Sequence, residues 1–284
     1  MERSGRVVAV TGGSGGIGFA IARRRAALGD RVLITGRRPG PLQSAAEAIG
    51  PQASALACDS ADPASARQIV DAAVERFGRL DVVVANAAHV PALSSLLDAD
   101  EADIDLVWQT NVAGPLRLVR AAVAGPFADG GVVVMVGSLG GQALQPDMGL
   151  YSASKAALHH LTRILAAELG PAVRVNAVAP GLVRTEGARV GWEAAEAMIR
   201  ARSPMARLGE ADDIADAVDF LVDDGSSWLT GQILVVDGGA SVQLGRRTRR
   251  TAAATTTAAA AATTAAAAAT TAAAATTAAD GGRQ

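Results

Sequence analysis

Seven short runs rich in β-branched residues, separated by alanine-rich stretches, predict an α/β fold: one domain built on a doubly wound, parallel seven-stranded sheet with helices on both faces. Two further features support that class. The strand runs are continuously apolar rather than alternating, which suits strands covered on both sides. A glycine-rich loop also stands directly between the first strand and the first helix.

The strands are predicted at 7–10, 31–35, 53–57, 81–85, 132–136, 173–178 and 233–236, and the helices at 17–28, 41–49, 63–77, 101–124, 150–169, 192–201 and 211–222. The first helix starts where the glycine loop ends. Asp62 before Pro63 reads as an N-cap followed by a first-turn proline, and Gly78 stops that third helix. Pro115 lies inside the fourth, so that helix is expected to bend near Gly114 or to split in two. From Thr251 to Ala279 every residue is alanine or threonine, which together bring too little apolar surface to drive packing. Residues 1–245 are therefore read as the domain, and 246–284 as a low-complexity tail, disordered or partly helical without a packed core.

Half of the 284 residues are apolar, enough for one large core, and no apolar run has membrane-spanning length. The formal charge of −2 hides an asymmetry. Five arginines and one aspartate give residues 246–284 a charge of +4 and leave −6 on the body. A mildly acidic body does not suggest nucleic-acid binding, and the basic run at 246–250 reads as solvated. One cysteine, Cys58, excludes an internal disulfide, and three histidines give no metal-site spacing, so no metal is expected. Five glycines between residues 12 and 18 spoil the N-terminus as a secretory signal, which leaves a cytoplasmic protein as the expectation.

The loop "TGGSGGIG", residues 11–18, spaces Gly12, Gly16 and Gly18 as G-x-x-x-G-x-G. Such glycines let the backbone approach a pyrophosphate, whose charge then lies at the positive N-terminus of the following helix. This is a Rossmann-type arrangement. The second strand runs into Gly36, Arg37 and Arg38, where an acid would be expected to hold an unphosphorylated ribose. Two guanidiniums suit a 2′-phosphate instead, so the expected cofactor is NADP (NADPH) rather than NAD. Asp59 and Asn86 fall at the C-terminal ends of the third and fourth strands, along the edge where ligands of open parallel sheets bind.

The stretch "YSASKAALHH" holds the only tyrosine, Tyr151, and the only lysine, Lys155, in a chain whose other 25 basic residues are arginine. For two singletons scattered at random, this spacing would arise about once in 280 chains of this length. On a helix, residues four apart share a face, which brings the ammonium close to the phenol. A cation favours the phenolate, and moving a phenol from about 10 to about 7 takes about 4 kcal/mol. A buried lysine together with the positive nicotinamide of an oxidised cofactor is a source for it, and the tyrosine then serves as general acid or base. The three asparagines, Asn86, Asn111 and Asn176, show the same sparing of a rare polar type near the expected site.

Taken in order, "TGGSGGIG", the "NAA" at Asn86, "WQTNVAG" around Asn111, "GSLGG" around Ser138, "YSASK", "NAVAPGLVRT" and "LVVDGG" make the chain resemble the short-chain dehydrogenase/reductase family over roughly residues 4–243. It resembles in particular the 3-oxoacyl-carrier-protein reductases and related ketone reductases. The resemblance implies an NAD(P)-dependent oxidoreductase that transfers a hydride between a nicotinamide and a ketone or secondary alcohol. It implies a catalytic set of Asn111, Ser138, Tyr151 and Lys155. In it Ser138 orients the substrate oxygen, Tyr151 passes the proton, Lys155 lowers the tyrosine pKa and holds the nicotinamide ribose, and Asn111 positions a relay water. By the same resemblance Ser14 and Ile17 join Gly12, Gly16 and Gly18 on the cofactor. Asp59 flanks the adenine, Asn86 supports the cofactor, and Pro180, Gly181 and Thr185 line the nicotinamide end. Homodimers or homotetramers are expected, with a small carbonyl or alcohol substrate and no nucleic acid or membrane partner. Ala88 stands where the family has glycine, a departure expected to crowd the cofactor slightly.

The alternative from another class is a dinucleotide-binding regulator without catalysis, against which the intact Asn–Ser–Tyr–Lys set argues. The three histidines, His89, His159 and His160, read as surface or packing residues. Residues 185–208 are the expected substrate lid, with Trp192, Met198 and Met205 as apolar candidates and Arg189, Arg200 and Arg202 as candidates to meet an anionic carrier.

Overall fold

The computed structural model describes residues 5–125, 127–145 and 147–242; the tail assigned to 246–284 lies outside them. Seven strands form one parallel sheet: β1 (Val7–Thr11), β2 (Arg31–Gly36), β3 (Ala53–Ala57), β4 (Leu80–Ala85), β5 (Phe127–Val136), β6 (Val173–Pro180) and β9 (Ile233–Val236). Their order, β3-β2-β1-β4-β5-β6-β9, reverses direction between β1 and β4. A two-residue ribbon, β7 (Val183–Arg184) with β8 (Gly209–Glu210), lies apart from it.

Successive strand residues point to opposite faces, and both faces are buried. Val8, Val10, Val32, Ile34, Val82, Val84, Val132 and Val134 pack on α1 (Gly16–Ala27) and α8 (Ala211–Val222) through Ile21, Ile214, Val218 and Leu221. Their neighbours Val7, Ala9, Leu33, Val83, Val133, Met135, Val175 and Ala177 pack on α3 (Ser65–Phe77), α5 (Gly114–Ala124) and α6 (Gly149–Leu169) through Ile69, Val70, Leu118, Leu158 and Leu165. Helix α2 (Pro39–Ile49) adds Leu42 to the first face.

Two local differences from the sequence expectation, and one expected break, have physical causes. Asp62 is not an N-cap. Its Oδ1 accepts the Ala64 N–H at 2.9 Å and its carbonyl accepts the Ser65 N–H, so Asp62–Pro63–Ala64 form a turn and α3 starts at Ser65. Strand β5 begins five residues early, because a register shift between Leu80 and Val82 of β4, which pair with Phe127 and Val132, lets the strand take in Gly130 and Gly131. The fourth helix does split: α4 (Glu101–Trp108) passes through a π-helical turn, Gln109–Ala113, into α5. The Gly114 N–H reaches back five residues to Gln109 O, and Pro115 has no N–H to offer the Asn111 carbonyl.

Charge is buried at the sheet's N-terminal edge. Arg25, 2% exposed, donates to Asp30 at 2.7 Å and to Asp219 and Asp223 at 3.3 and 3.0 Å, joining α1 to α8. Removing one member of such a cluster strands the others. Arg25→Met is expected to destabilise the fold by about 3–5 kcal/mol in urea unfolding, and Arg25→Met with Asp30→Leu by less than Arg25→Met alone.

Candidate active site

The C-terminal ends of β1, β4, β5 and β6 meet where the strand order reverses, the ligand edge of an open sheet. The glycine loop leaves β1 there. Gly12 has φ 67°, and a β-carbon on Gly18 would lie 2.3 Å from the Gly12 carbonyl oxygen, so neither position accepts a side chain. Asn86, just past β4, braces this loop: its Nδ2 donates to the Thr11 and Gly12 carbonyls at 2.8 and 3.2 Å. The Thr11 hydroxyl in turn accepts the N–H groups of Asn86 and Ala87 at 3.0 and 2.9 Å.

No side chain caps α1 and no acid lies in its first turn, so the N–H donors around Ile17 face whatever the loop holds. Ser14 lies beside Gly36, and the exposed Arg37 and Arg38 follow without an acidic partner among the described residues. This cradle fits a pyrophosphate with a further phosphate at the end of β2. Asp59 ends β3 in a turn, accepting the Ala61 N–H at 3.0 Å. Pro180 ends β6 and Gly181 donates to Val236 O, with a β-carbon excluded there by Asp237. The Thr185 methyl approaches Gly16, closing the cradle from the other side.

Helix α6 carries Tyr151, Lys155 and His159 at successive i, i+4 positions. Ser138, just past β5, stands beside the Tyr151 phenol and accepts the Gly140 N–H at 3.1 Å, which leaves its own O–H to donate. Lys155 is 2% exposed; its Nζ donates to Val136 O at 2.8 Å and lies 5.6 Å from the centre of the Tyr151 ring. Burial holds the phenol above its usual value, with the Ser138 hydroxyl pulling the other way, and burial lowers the lysine to about 8. In the protein alone burial dominates the phenol, while the Lys155 ammonium is turned toward the Val136 carbonyl.

Asn111, fully buried in the π turn, has its side chain wholly engaged. Its Oδ1 accepts the His89 N–H at 2.7 Å, and its Nδ2 donates to the His89 carbonyl and the Ser154 hydroxyl, each at 3.0 Å. Ser154 in turn donates its hydroxyl to the Tyr151 carbonyl at 2.6 Å. One buried chain of bonds thus ties the loop after β4 to the helix of Tyr151. Asn176 is not part of the site: it binds Leu229 and Gln232 before β9, at the opposite edge of the sheet.

Among the histidines, His89 pairs with Asp103 at 3.2 Å and His160 is exposed. His159 is 3% exposed, wedged so closely between Gly137 and Gly141 that a β-carbon on either would overlap its ring. Burial, then the cations of Lys155 and Arg163, lower its pKa to about 4.

The segment 185–208, expected as the lid, holds α7 (Arg189–Arg202), longer than expected. Trp192 donates its indole N–H to Thr185 O at 2.8 Å and stacks under Arg184, whose fork reaches Glu196 at 2.8 Å and Glu210 at 3.0 Å. Met198 and Met205 are exposed. Thr11, Ser154 and Arg184 were not identified from the sequence. Ser154 lies inside "YSASK", but its partner Asn111 is 43 residues away.

A family model described as Enoyl-(Acyl carrier protein) reductase matches residues 12–241. The chain is 35% identical over 245 residues to a Tropinone reductase-like 3 of Erythroxylum coca, covering 84% of this chain and 95% of that one. It is 36% identical over 250 residues to Dehydrogenase/reductase SDR family member 4 of Mus musculus, covering 85% and 89%. Among solved structures, a short chain dehydrogenase from Burkholderia cenocepacia in complex with NADP aligns with a TM-score of 0.78 at 38% identity, over 84% and 98% of the two chains. A 3-ketoacyl-(acyl-carrier-protein) reductase from Brucella melitensis complexed with NADH gives 0.78 at 30% identity, over 84% and 99%.

The His159 value sits below its usual 6.5, so the unfolded chain binds that proton more tightly. The stability it contributes is complete above pH 6.5 and is lost as the pH falls toward 4, by up to about 3 kcal/mol. In urea unfolding at pH 7 and pH 4.5, His159→Leu is expected to show a smaller acid loss than the parent.

Proposed function

Because the chain belongs to the short-chain dehydrogenase/reductase family of NAD(P)-dependent oxidoreductases, we propose that it reduces a ketone to a secondary alcohol with NADPH, Tyr151 supplying the proton. The observation that carries this reading is the convergence of Ser138, Tyr151 and Lys155 beside the glycine cradle. Gly12, Ser14, Gly16, Ile17 and Gly18 hold the pyrophosphate end, and Arg37 and Arg38 hold the 2′-phosphate. Asp59 lies at the adenine, Asn86 braces the cradle, and Pro180, Gly181 and Thr185 meet the nicotinamide end. When bound, the nicotinamide cofactor supplies the hydride.

The residues do the rest. A phenol held above its usual value stays protonated at neutral pH, the state a donor to a developing alkoxide needs. The Ser138 hydroxyl, beside the phenol, can donate to the same carbonyl oxygen and so orient it. Lys155 keeps donor capacity beyond its bond to Val136, for a ribose hydroxyl or a relay. With its amide engaged, Asn111 can act on a relay water only through its main chain, whose carbonyl Pro115 cannot engage. We also infer a small-molecule substrate, a homodimer or homotetramer, a cytoplasmic location and a domain ending near residue 245. Among the described residues no helix is long and apolar enough to cross a membrane.

The test is oxidation of NADPH and of NADH against a panel of ketones. Tyr151→Phe is expected to lower kcat at least a hundredfold, with NADPH affinity in a fluorescence titration within about twofold of the parent; a binding-only regulator would bind the cofactor and turn over nothing. Replacing both Arg37 and Arg38 with alanine is expected to weaken NADPH tenfold or more and NADH little, read in the same titration.

A further inference from the structure

The reduction proposed above names a reacting group but not the body that carries it, and the rim beside Tyr151 selects one. Two segments form that rim: 89–98, after β4, and the described residues 142–145 and 147–148, between Ser138 and α6. They are joined, since the Ser94 N–H donates to Asp147 O at 3.0 Å and Ser94 pairs with Met148. Leu96 lies over Gly149, two residues before Tyr151, where an added β-carbon would come within 3.2 Å of its Cβ.

Four leucines stand out from this joined rim: Leu93 at 61% exposure, Leu96 at 55%, Leu97 at 94% and Leu144 fully exposed. Single exposed leucines are ordinary; four on two adjoining loops beside a catalytic tyrosine mark a binding surface. The charge is equally selective. No arginine or lysine occurs from residue 80 to 116 or from 121 to 154, where the chain's average would place about six. At the two ends of the segment 185–208, Arg184 is paired with Glu196 and Glu210, and Arg207 with Asp213. A phosphate- or carboxylate-bearing body passing this rim would meet no free cation on it, and would lie near Asp147.

We propose that the substrate is a ketone with a bulky apolar body and no anionic group, held by the leucine rim, and not a thioester of an anionic carrier or coenzyme. This rests on the reading of the site as a ketone reductase.

The experiment compares one bulky alicyclic ketone with its congener bearing a distal carboxylate, an acetoacetyl-coenzyme A thioester and an acetone-sized ketone, in NADPH-dependent turnover. The neutral bulky ketone is expected to exceed the carboxylate congener and the thioester at least tenfold in kcat/KM, by a margin that narrows with salt. Leu144→Ser is expected to raise KM for the bulky ketone about tenfold more than for the small one, with the loss in KM rather than kcat. Leu144→Arg is expected to bring the carboxylate congener closer to the neutral one. A preference for the carboxylate or the thioester, or a KM indifferent to both leucine variants, overturns the proposal while leaving the reductase reading intact.

If none of the ketones is turned over, the reductase reading fails. Saturation-transfer NMR of the same compounds on the NADP-loaded protein then decides the present point: tighter binding of the neutral bulky ketone supports it, and equal binding of the carboxylate congener, or no binding of either, overturns it. Light scattering closes the remaining route. Were Leu144→Arg to dissociate a dimer, the leucines would belong to a second copy of the chain and the proposal would fall.

Discussion

A parallel sheet buried on both faces has no wet surface along its length, and most of the molecule's organisation follows from that constraint. Side chains of β1, β4 and β5 alternate between two apolar layers, so groups that bind ions or move protons are displaced to the strand ends. The two ends are used differently. At the N-terminal edge the charges neutralise one another, as in the cluster of Arg25, Asp30 and Asp219 and in the pair of Arg79 and Asp81. At the C-terminal edge the donors of the first turn of α1 are left without a capping side chain, available to an outside anion.

What was legible in the sequence follows the same division. Strands and helices show in the sequence because each face needs its own run of apolar side chains, and the motif positions fall at strand ends because nowhere else is open. Contacts across the chain were not legible. The Asp62 turn, the register shift before Val82 and the place of Asn176 all depend on what a neighbouring strand or loop presents. Rare usage marked Asn111 and Asn176 equally, yet one locks the loop of His89 to α6 while the other secures the approach to β9. Only the fold separates the two. Thr11 and Ser154 were missed for a related reason: serine and threonine are common in this chain, and their hydroxyls matter through partners 75 and 43 residues away.

Within α6 one stripe carries a half-buried phenol, a buried ammonium and a buried imidazole, and desolvation acts on all three in the same chemical sense. It raises the acid and lowers the two bases, so each is pushed toward its uncharged form. A charged ligand reaching this edge alters the balance for all three groups at once, since they lie one helical turn apart.

The solitary lysine also gives the molecule an unusual reactivity. Apart from its α-amino group, the chain offers acylating reagents a single amine, and that amine is buried and has a lowered pKa, so a larger share of it is in the nucleophilic free-base form at neutral pH than in an exposed lysine. With protonation a smaller barrier than for an exposed lysine, access becomes the main limit on modification at Lys155. Because the other side-chain cations are guanidiniums, which such reagents spare, the extent of labelling of this side chain would report directly on how open the catalytic edge is.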